Sequence, residues 1–368
     1  MSDFIVIGGG ISGLLIAREL ASHGAEVTIL EQGRIGQEAS WAGGGILSPL
    51  YPWRQPSPIN ALCHWSQQQY PLLSQQLQQT TNIDPQWSRC GMLWLSLPDL
   101  NDALSWCRNT ATNATVLSGK QVSSIQTGLE DQSGTHLWLP DIAQIRNPRL
   151  LKALRQDLQL RKVQVFEQSP VMDWEMSEDQ ATAVKTAQRA FSAENFIVTA
   201  GAWSARFKMN DFWQPAIHPV KGQMLLFKSR PGLLQTMVQA GEHYLIPRLD
   251  GRILAGSTVE ESGYDKRPTA SGYRRLYQFA VTTLPALKDY PVELHWAGIR
   301  PGSPDGIPYI GPHPQITNLF YNCGHFRNGV VMGLAAAQLL ADIILERPPI
   351  TDPEPFLPCH RNSLSNTG

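Results

Sequence analysis

Three glycines near the start of the chain are spaced for phosphate chemistry. Gly8, Gly10 and Gly13 form G-x-G-x-x-G directly after the apolar run Phe4-Ile5-Val6-Ile7. In such a motif the first glycine permits a tight turn and the second lets a pyrophosphate approach the backbone. The third allows a helix and strand to pack closely. Ile11 and Ser12 then open a helix whose free N–H groups and positive dipole end suit an anion. Glu31 lies 18 residues beyond Gly13, followed by Gln32, and can accept from ribose hydroxyls. The competing reading is a glycine-rich turn in some other α/β unit. The continuation favours the dinucleotide: Ala17 and Leu20 fall on the buried helix face, Gly24 ends the helix and Val27 enters a second strand.

A second constellation lies in the last third. Residues 296–311 read WAGIRPGSPDGIPYIG, and residues 321–333 read YNCGHFRNGVVMG before a long apolar helix, Leu334 to Leu345. Gly324, Gly329 and Gly333 are expected where that helix begins. A row of free N–H groups there stabilises negative charge. A reduced flavin carries such charge on one edge of its ring, so a flavin is a sensible occupant. A glycine-softened turn before a core helix is the plainer alternative, and the N-terminal motif weighs against it. Residues 33–50, GRIGQEASWAGGGILSPL, are rich in small residues and poor in charge. That composition suits backbone running against a flat ligand.

Several elements must hold these segments. Helical periodicity over 59–81 puts glutamines on an outer face. Gly91 to Leu97 reads as a strand, and Asn147-Pro148 as the cap and first residue of an amphipathic helix over 147–161. Val163 to Phe166 and Asn195 to Ala200 read as apolar strands, the latter running into Gly201-Ala202-Trp203-Ser204. Tyr244 to Arg248 and Ile253 to Gly256, joined across Asp250-Gly251, read as an antiparallel pair. The two patterns interleave along the chain.

Composition narrows the function. The 368 residues are 42% hydrophobic and 17% charged, with net charge −1. That is an ordinary globular enzyme of about two domains, and no basic run points to nucleic acid. Five cysteines form no C-x-x-C pair and no zinc spacing, so no metal is expected and the thiols read as free. The eleven tryptophans read as packing residues, a few of them lining an aromatic pocket. The motif begins so near Met1 that no secretory leader is expected, and no uninterrupted apolar run of spanning length occurs. A cytoplasmic location is the expectation.

Six ordered blocks together are more specific than the glycine motif. They are GGGISGLLIARELASHGAEVTILE, IVTAGAWS, VKGQMLLF, HYLIPRLDGRILAGST, WAGIRPGSPDGIPYIG and GHFRNG. Over nearly its whole length the chain resembles the glycine oxidase branch of the D-amino-acid oxidase family of flavoproteins, the branch that serves thiamine biosynthesis. The resemblance implies an α/β fold like that of D-amino-acid oxidase and p-hydroxybenzoate hydroxylase. There a Rossmann-like FAD-binding domain is interleaved with an antiparallel-sheet substrate domain. The expected segments are 1–80, 145–215 and 297–350 for FAD, 81–144 and 216–296 for substrate, and 351–368 as a tail. It also implies non-covalent FAD, oxidation of small amino acids to imino acids, and molecular oxygen as acceptor, with hydrogen peroxide as product. A homo-oligomer, specifically a tetramer, is implied too.

Within that family Arg300 matches the substrate arginine. A guanidinium fork holds a carboxylate in fixed orientation. Tyr244 matches the tyrosine that gives the carboxylate a further hydrogen bond. Arg327, in GHFRNG, is placed either on the substrate or at the flavin's carbonyl edge. His243, His325 and Asp305 read as structural. Ser40, Ala42, Gly43, Gly44 and Gly45 match the flavin-facing loop, Val171 a strand residue meeting the adenine, and Gly201 and Trp203 the strand end over the pyrophosphate. Arg327, Asn328, Gly329, Val330 and Val331 are expected at the pyrimidine edge. Cys323 does not match the cysteine that tethers flavin in related sarcosine oxidases, so it reads as unattached. No obligatory general base stands out, which fits hydride transfer.

Three rival functions stand beside this one. A dehydrogenase would pass electrons to a quinone. The oxidase half of a fused tRNA-modifying enzyme would call for a methyltransferase half and a basic patch. A non-catalytic flavin-binding module would have no need of Arg300 and Tyr244.

Overall fold

The computed structural model describes residues 2–130, 133–207 and 212–361; the end of the expected tail, residues 362–368, lies outside them. Ser2–Ile7 is the central strand of the first sheet. It pairs in parallel with Val27–Leu30 on one side and with Ala190–Val198 on the other. Its alternate side chains feed two cores. Phe4 and Val6 pack with the helices Ile11–Ser22, Ser57–Thr81, Asn147–Leu160 and Gly329–Ile344. Ile5 and Ile7 pack on the opposite side with Trp174, Phe196 and Tyr321. A strand buried on both faces must be apolar throughout, which explains the unbroken run. Gln164–Phe166 extends the sheet at one edge, and Leu319–Cys323 with Tyr309–Pro312 extends it at the other. The hairpin Asp173–Ser177 and Gln180–Lys185 attaches to Ala190–Val198.

The second sheet has eight strands. Their order is Val292–Gly302, His218–Phe227, Ile253–Gly256, His243–Pro247, Met237–Ala240, Met92–Leu95, Thr135–Leu139 and Thr115–Ser118. The hairpin across Asp250-Gly251 forms as its sequence implies, with Tyr244 opposite Gly256. The sheet is antiparallel except where Met237–Ala240 runs parallel to Met92–Leu95. One face, with Leu225, Leu245 and Ala255, is covered by the helix Ala270–Thr283. The other, with Met224, Tyr244 and Ile246, looks towards the glycine-rich loop.

Some elements differ from expectation. Asn147 is the first helical residue, and Arg146 occupies the capping position, because the Asn147 side chain is engaged elsewhere. The last helix begins at Gly329, so Gly333 sits inside it, close against Leu15 and Ile11 of the first helix. Gly201–Arg206 is a 3-10 helix following the strand, and Val171 lies in a connection rather than a strand. Segment 326–344 has the length and mean hydropathy, 1.2, of a membrane span. Its core position accounts for that composition: Tyr70 donates to the Val330 carbonyl, and Ser66 Oγ accepts from Ala335 N–H at 2.9 Å.

Candidate active site

The turn after the first strand is closed by local geometry. Gly8 has φ +112°, a conformation that side chains avoid. A Cβ on Gly13 would collide with the Gly8 carbonyl oxygen, so helix and strand approach as closely as the motif implies. The first helix has no side-chain cap at Gly10; instead Ser40 Oγ accepts from Ile11 N–H at 2.9 Å. Glu31 ends its strand with both oxygens engaged, by Gly9 N–H at 2.7 Å and Gly33 N–H at 2.8 Å. Burial raises its pKa, and these two bonds oppose that rise.

A long cleft runs from this turn. Its walls include Leu30, Glu31, Gln32 and Val171, the turn residues Gly8, Gly10, Ile11 and Ser12, and Gly201 and Trp203. The Trp203 ring lies 5.4 Å from that of Tyr264. Arg300, Arg327, Gly329 and Val330 line it too. A smaller cavity shares Arg300, Arg327 and Val330 with it. Ala39 and Gly43 are shared as well, and its other walls include Ala42, Gly44, Gly45, Tyr244, Asn328 and Val331.

The loop between the two spaces is held by Asn147, which the sequence marked only as a helix cap, and by two side chains it did not mark. Asn147 donates to the carbonyls of Ser40 at 2.8 Å and Gly43 at 3.0 Å. Arg248 donates to the Gly44 carbonyl at 2.7 Å, and Trp296 to the Ala42 carbonyl at 3.1 Å. Both lie inside quoted blocks, but their partners are far away in sequence. Ala39–Ala42 forms one helical turn within the loop.

Arg300 stands on the strand Val292–Gly302, beside the glycine of the neighbouring strand that makes room for it. A Cβ on Gly222 would collide with the guanidinium. That guanidinium donates to Ser257 Oγ at 2.8 Å, to the Thr258 carbonyl at 3.1 Å and to the Lys221 carbonyl at 3.3 Å. All three partners are neutral. Among the described residues no carboxylate pairs with it. Burial pushes its pKa down to about 10, which leaves it charged at neutral pH. Tyr244 is buried, and among the described residues its hydroxyl is bonded only to Met224 Sδ, a weak acceptor, at 3.5 Å. Arg327 is exposed at the mouth.

The less secure residues separate. Asp305 pairs with Arg361 at the surface, and His243 is bonded to the Ser257 carbonyl at 3.1 Å, away from the cavity walls. His325 instead lines the cleft, as does Asn322, which the sequence did not single out. Cys323 also lines it, buried and free, its thiol pushed up to about 12 by burial.

A nucleotide groove on one sheet, ending at an arginine without an anion on the other, defines a dinucleotide-dependent oxidoreductase site. Residues 3–343 match the family model described as FAD dependent oxidoreductase, and the chain belongs to that family. It is 43% identical over 358 residues to glycine oxidase of Pseudomonas aeruginosa, covering 97% of this chain and 98% of that one. Against the bifunctional protein ThiO/ThiG of a Synechocystis species it is 33% identical over 353 residues, 94% of this chain and 52% of that protein. The crystal structure of glycine oxidase from Geobacillus kaustophilus superposes with a TM-score of 0.92 at 28% identity, covering 97% of this chain and 98% of that chain. FAD is thus the cofactor. The cleft fits it: the turn at Gly8–Gly10 presents bare backbone, and buried polar atoms along the wall lack partners within the protein.

Proposed function

We propose that this enzyme oxidises glycine and small amines or D-amino acids, namely sarcosine, D-alanine and D-proline. The products are an oxo acid, the amine or ammonia, and hydrogen peroxide. The observation that carries this reading is Arg300, a half-buried cation whose bonds all go to neutral groups. Bound FAD supplies the two-electron acceptor that oxygen restores. Arg300 holds the substrate carboxylate by a two-bonded fork, and Tyr244, free of any strong partner, adds a bond to the same group. Arg327 closes the mouth over substrate or the flavin edge. Gly8, Gly10 and Glu31 would hold the cofactor's ADP half, with Gly13 keeping helix and strand close beneath it, and Gly43–Gly45 would face its ring.

No acid or imidazole lines the smaller cavity among the described residues. The substrate amine therefore loses its proton to solvent or to a backbone carbonyl, and the protein's part is to bind and orient. The likeness to a ThiO/ThiG protein supports a role in supplying thiamine thiazole synthesis. By the same family resemblance the enzyme is a homotetramer, testable by light scattering. An activity scan over glycine, sarcosine, D-alanine and D-proline, following peroxide and oxygen uptake together, tests the proposal. Dye reduction without oxygen uptake would instead establish the quinone-linked dehydrogenase.

A further inference from the structure

Two residues on the cleft wall are unfinished as protein. Asn322 is fully buried near the end of the strand Leu319–Cys323, yet among the described residues neither its Nδ2 nor its Oδ1 has a partner. His325 is 3% exposed, three residues on, and its Nε2 is likewise unpartnered. Both line the long cleft and neither lines the smaller cavity. Buried polar atoms are nearly always satisfied, and leaving one unpaired is costly. Three such atoms in neighbouring residues on one wall point to a ligand that completes them.

We propose that Asn322 and His325 bind the ribityl hydroxyls of FAD. The proposal rests on FAD occupying the cleft. A hydroxyl both donates and accepts, and so does the pair: the Asn322 amide offers one donor and one acceptor, and the His325 ring nitrogen a third position. A pyrophosphate accepts only, and would leave Asn322 Oδ1 facing oxygen. The two residues also stand along the chain just ahead of Arg327, which both spaces share, and off the glycine turn that suits the pyrophosphate. With burial holding the His325 imidazole down to about 4, it is neutral at working pH and matches an uncharged partner.

The test uses opposite signs in two states of the same protein. Asn322→Leu keeps the volume and removes polar atoms that only the cofactor satisfies. In flavin-stripped protein this variant should melt at or above the wild-type temperature. In the FAD-loaded protein it should melt below wild type, with FAD binding weakened roughly tenfold by fluorescence titration. A side chain that merely supports the fold would lower both melting temperatures together, and that result overturns the proposal. Ribityl-deoxy analogues of FAD, each lacking one hydroxyl, give a second measurement. At least one should lose affinity for wild type but lose no more for Asn322→Ala. Additive losses with every analogue overturn the assignment even if the leucine variant folds poorly. His325→Gln, which keeps a donor and an acceptor, should retain most of the FAD affinity that His325→Phe loses; equal losses count against the contact. Wild-type protein that binds no FAD would refute the cofactor itself, an outcome distinct from all of these.

Discussion

At the scale of single residues, the substrate grip is expected to be unequal. Arg300→Ala would leave a bound carboxylate unpaired in a desolvated place. Charge-assisted bonds contribute about 1.5–3 kcal/mol each, so kcat/KM should fall from about tenfold to a few hundredfold. Arg300→Lys should recover little, since a point charge cannot reproduce the fork. Tyr244→Phe removes one neutral bond and should raise KM only a few-fold. FAD content should stay normal in all three. Near wild-type efficiency in Arg300→Ala, or a larger loss in Tyr244→Phe, would move the clamp to Arg327. A second expectation concerns acid. The His325 imidazole has its pKa lowered by burial from 6.5 to about 4. The unfolded chain therefore binds a proton that the folded chain refuses. This residue's contribution is intact above pH 6.5, is lost as pH falls towards about 4, and then levels, for a total of up to about 3 kcal/mol. Burial also lowers the pKa of His243, His295 and His313, so the whole-protein slope has several sources. Melting curves of stripped wild type and His325→Gln across that range isolate the one contribution: the variant's slope should be shallower.

At the scale of elements, the two inner glycines of the motif should fail differently. A methyl on Gly13 meets backbone, the Gly8 carbonyl, which cannot rotate away. Gly13→Ala should destabilise even the flavin-free fold by about 1–3 kcal/mol, seen as a lowered melting temperature. A Cβ on Gly10 meets only the Ser40 hydroxyl, at 3.2 Å. Gly10→Val should therefore cost the stripped protein less than Gly13→Ala does, and should abolish FAD binding; full flavin occupancy in that variant would sink the motif reading. Such contrasts also show which elements could be read from sequence. The strand Ser2–Ile7 declares itself because burial on both faces forces a continuous apolar run. The hairpin at Asp250-Gly251 declares itself because its turn demands particular residues. Asn147 misled, because an asparagine beside proline looks like a cap while here its amide holds the Ser40–Gly43 loop. Arg248 and Trp296 stayed hidden since a side chain that bonds a distant carbonyl leaves no local trace. The parallel pairing of Met237–Ala240 with Met92–Leu95 was invisible for the same reason. Asn322 could have been suspected: an asparagine in an otherwise apolar terminal strand needs a partner.

At the scale of the whole molecule, the cofactor should come away intact. Cys323 reaches the cleft, but burial keeps its thiol protonated, with its pKa pushed up to about 12. The yellow protein should release all its FAD on acid or heat denaturation, and flavin retained on the unfolded chain would prove a tether. The same architecture has a consequence for how the enzyme is made. Walls of the cofactor cleft come from Ile7 through Val330, and the first strand's partner on one side is Ala190–Val198. A nascent chain leaving the ribosome thus carries an apolar strand with one edge open until that partner follows. Flavin has nowhere complete to bind until the last strand and helix have emerged. A chain cut after residue 300 should neither bind FAD nor stay in solution. Here the flavin is a lock fitted to a finished door, not a template around which the door is built.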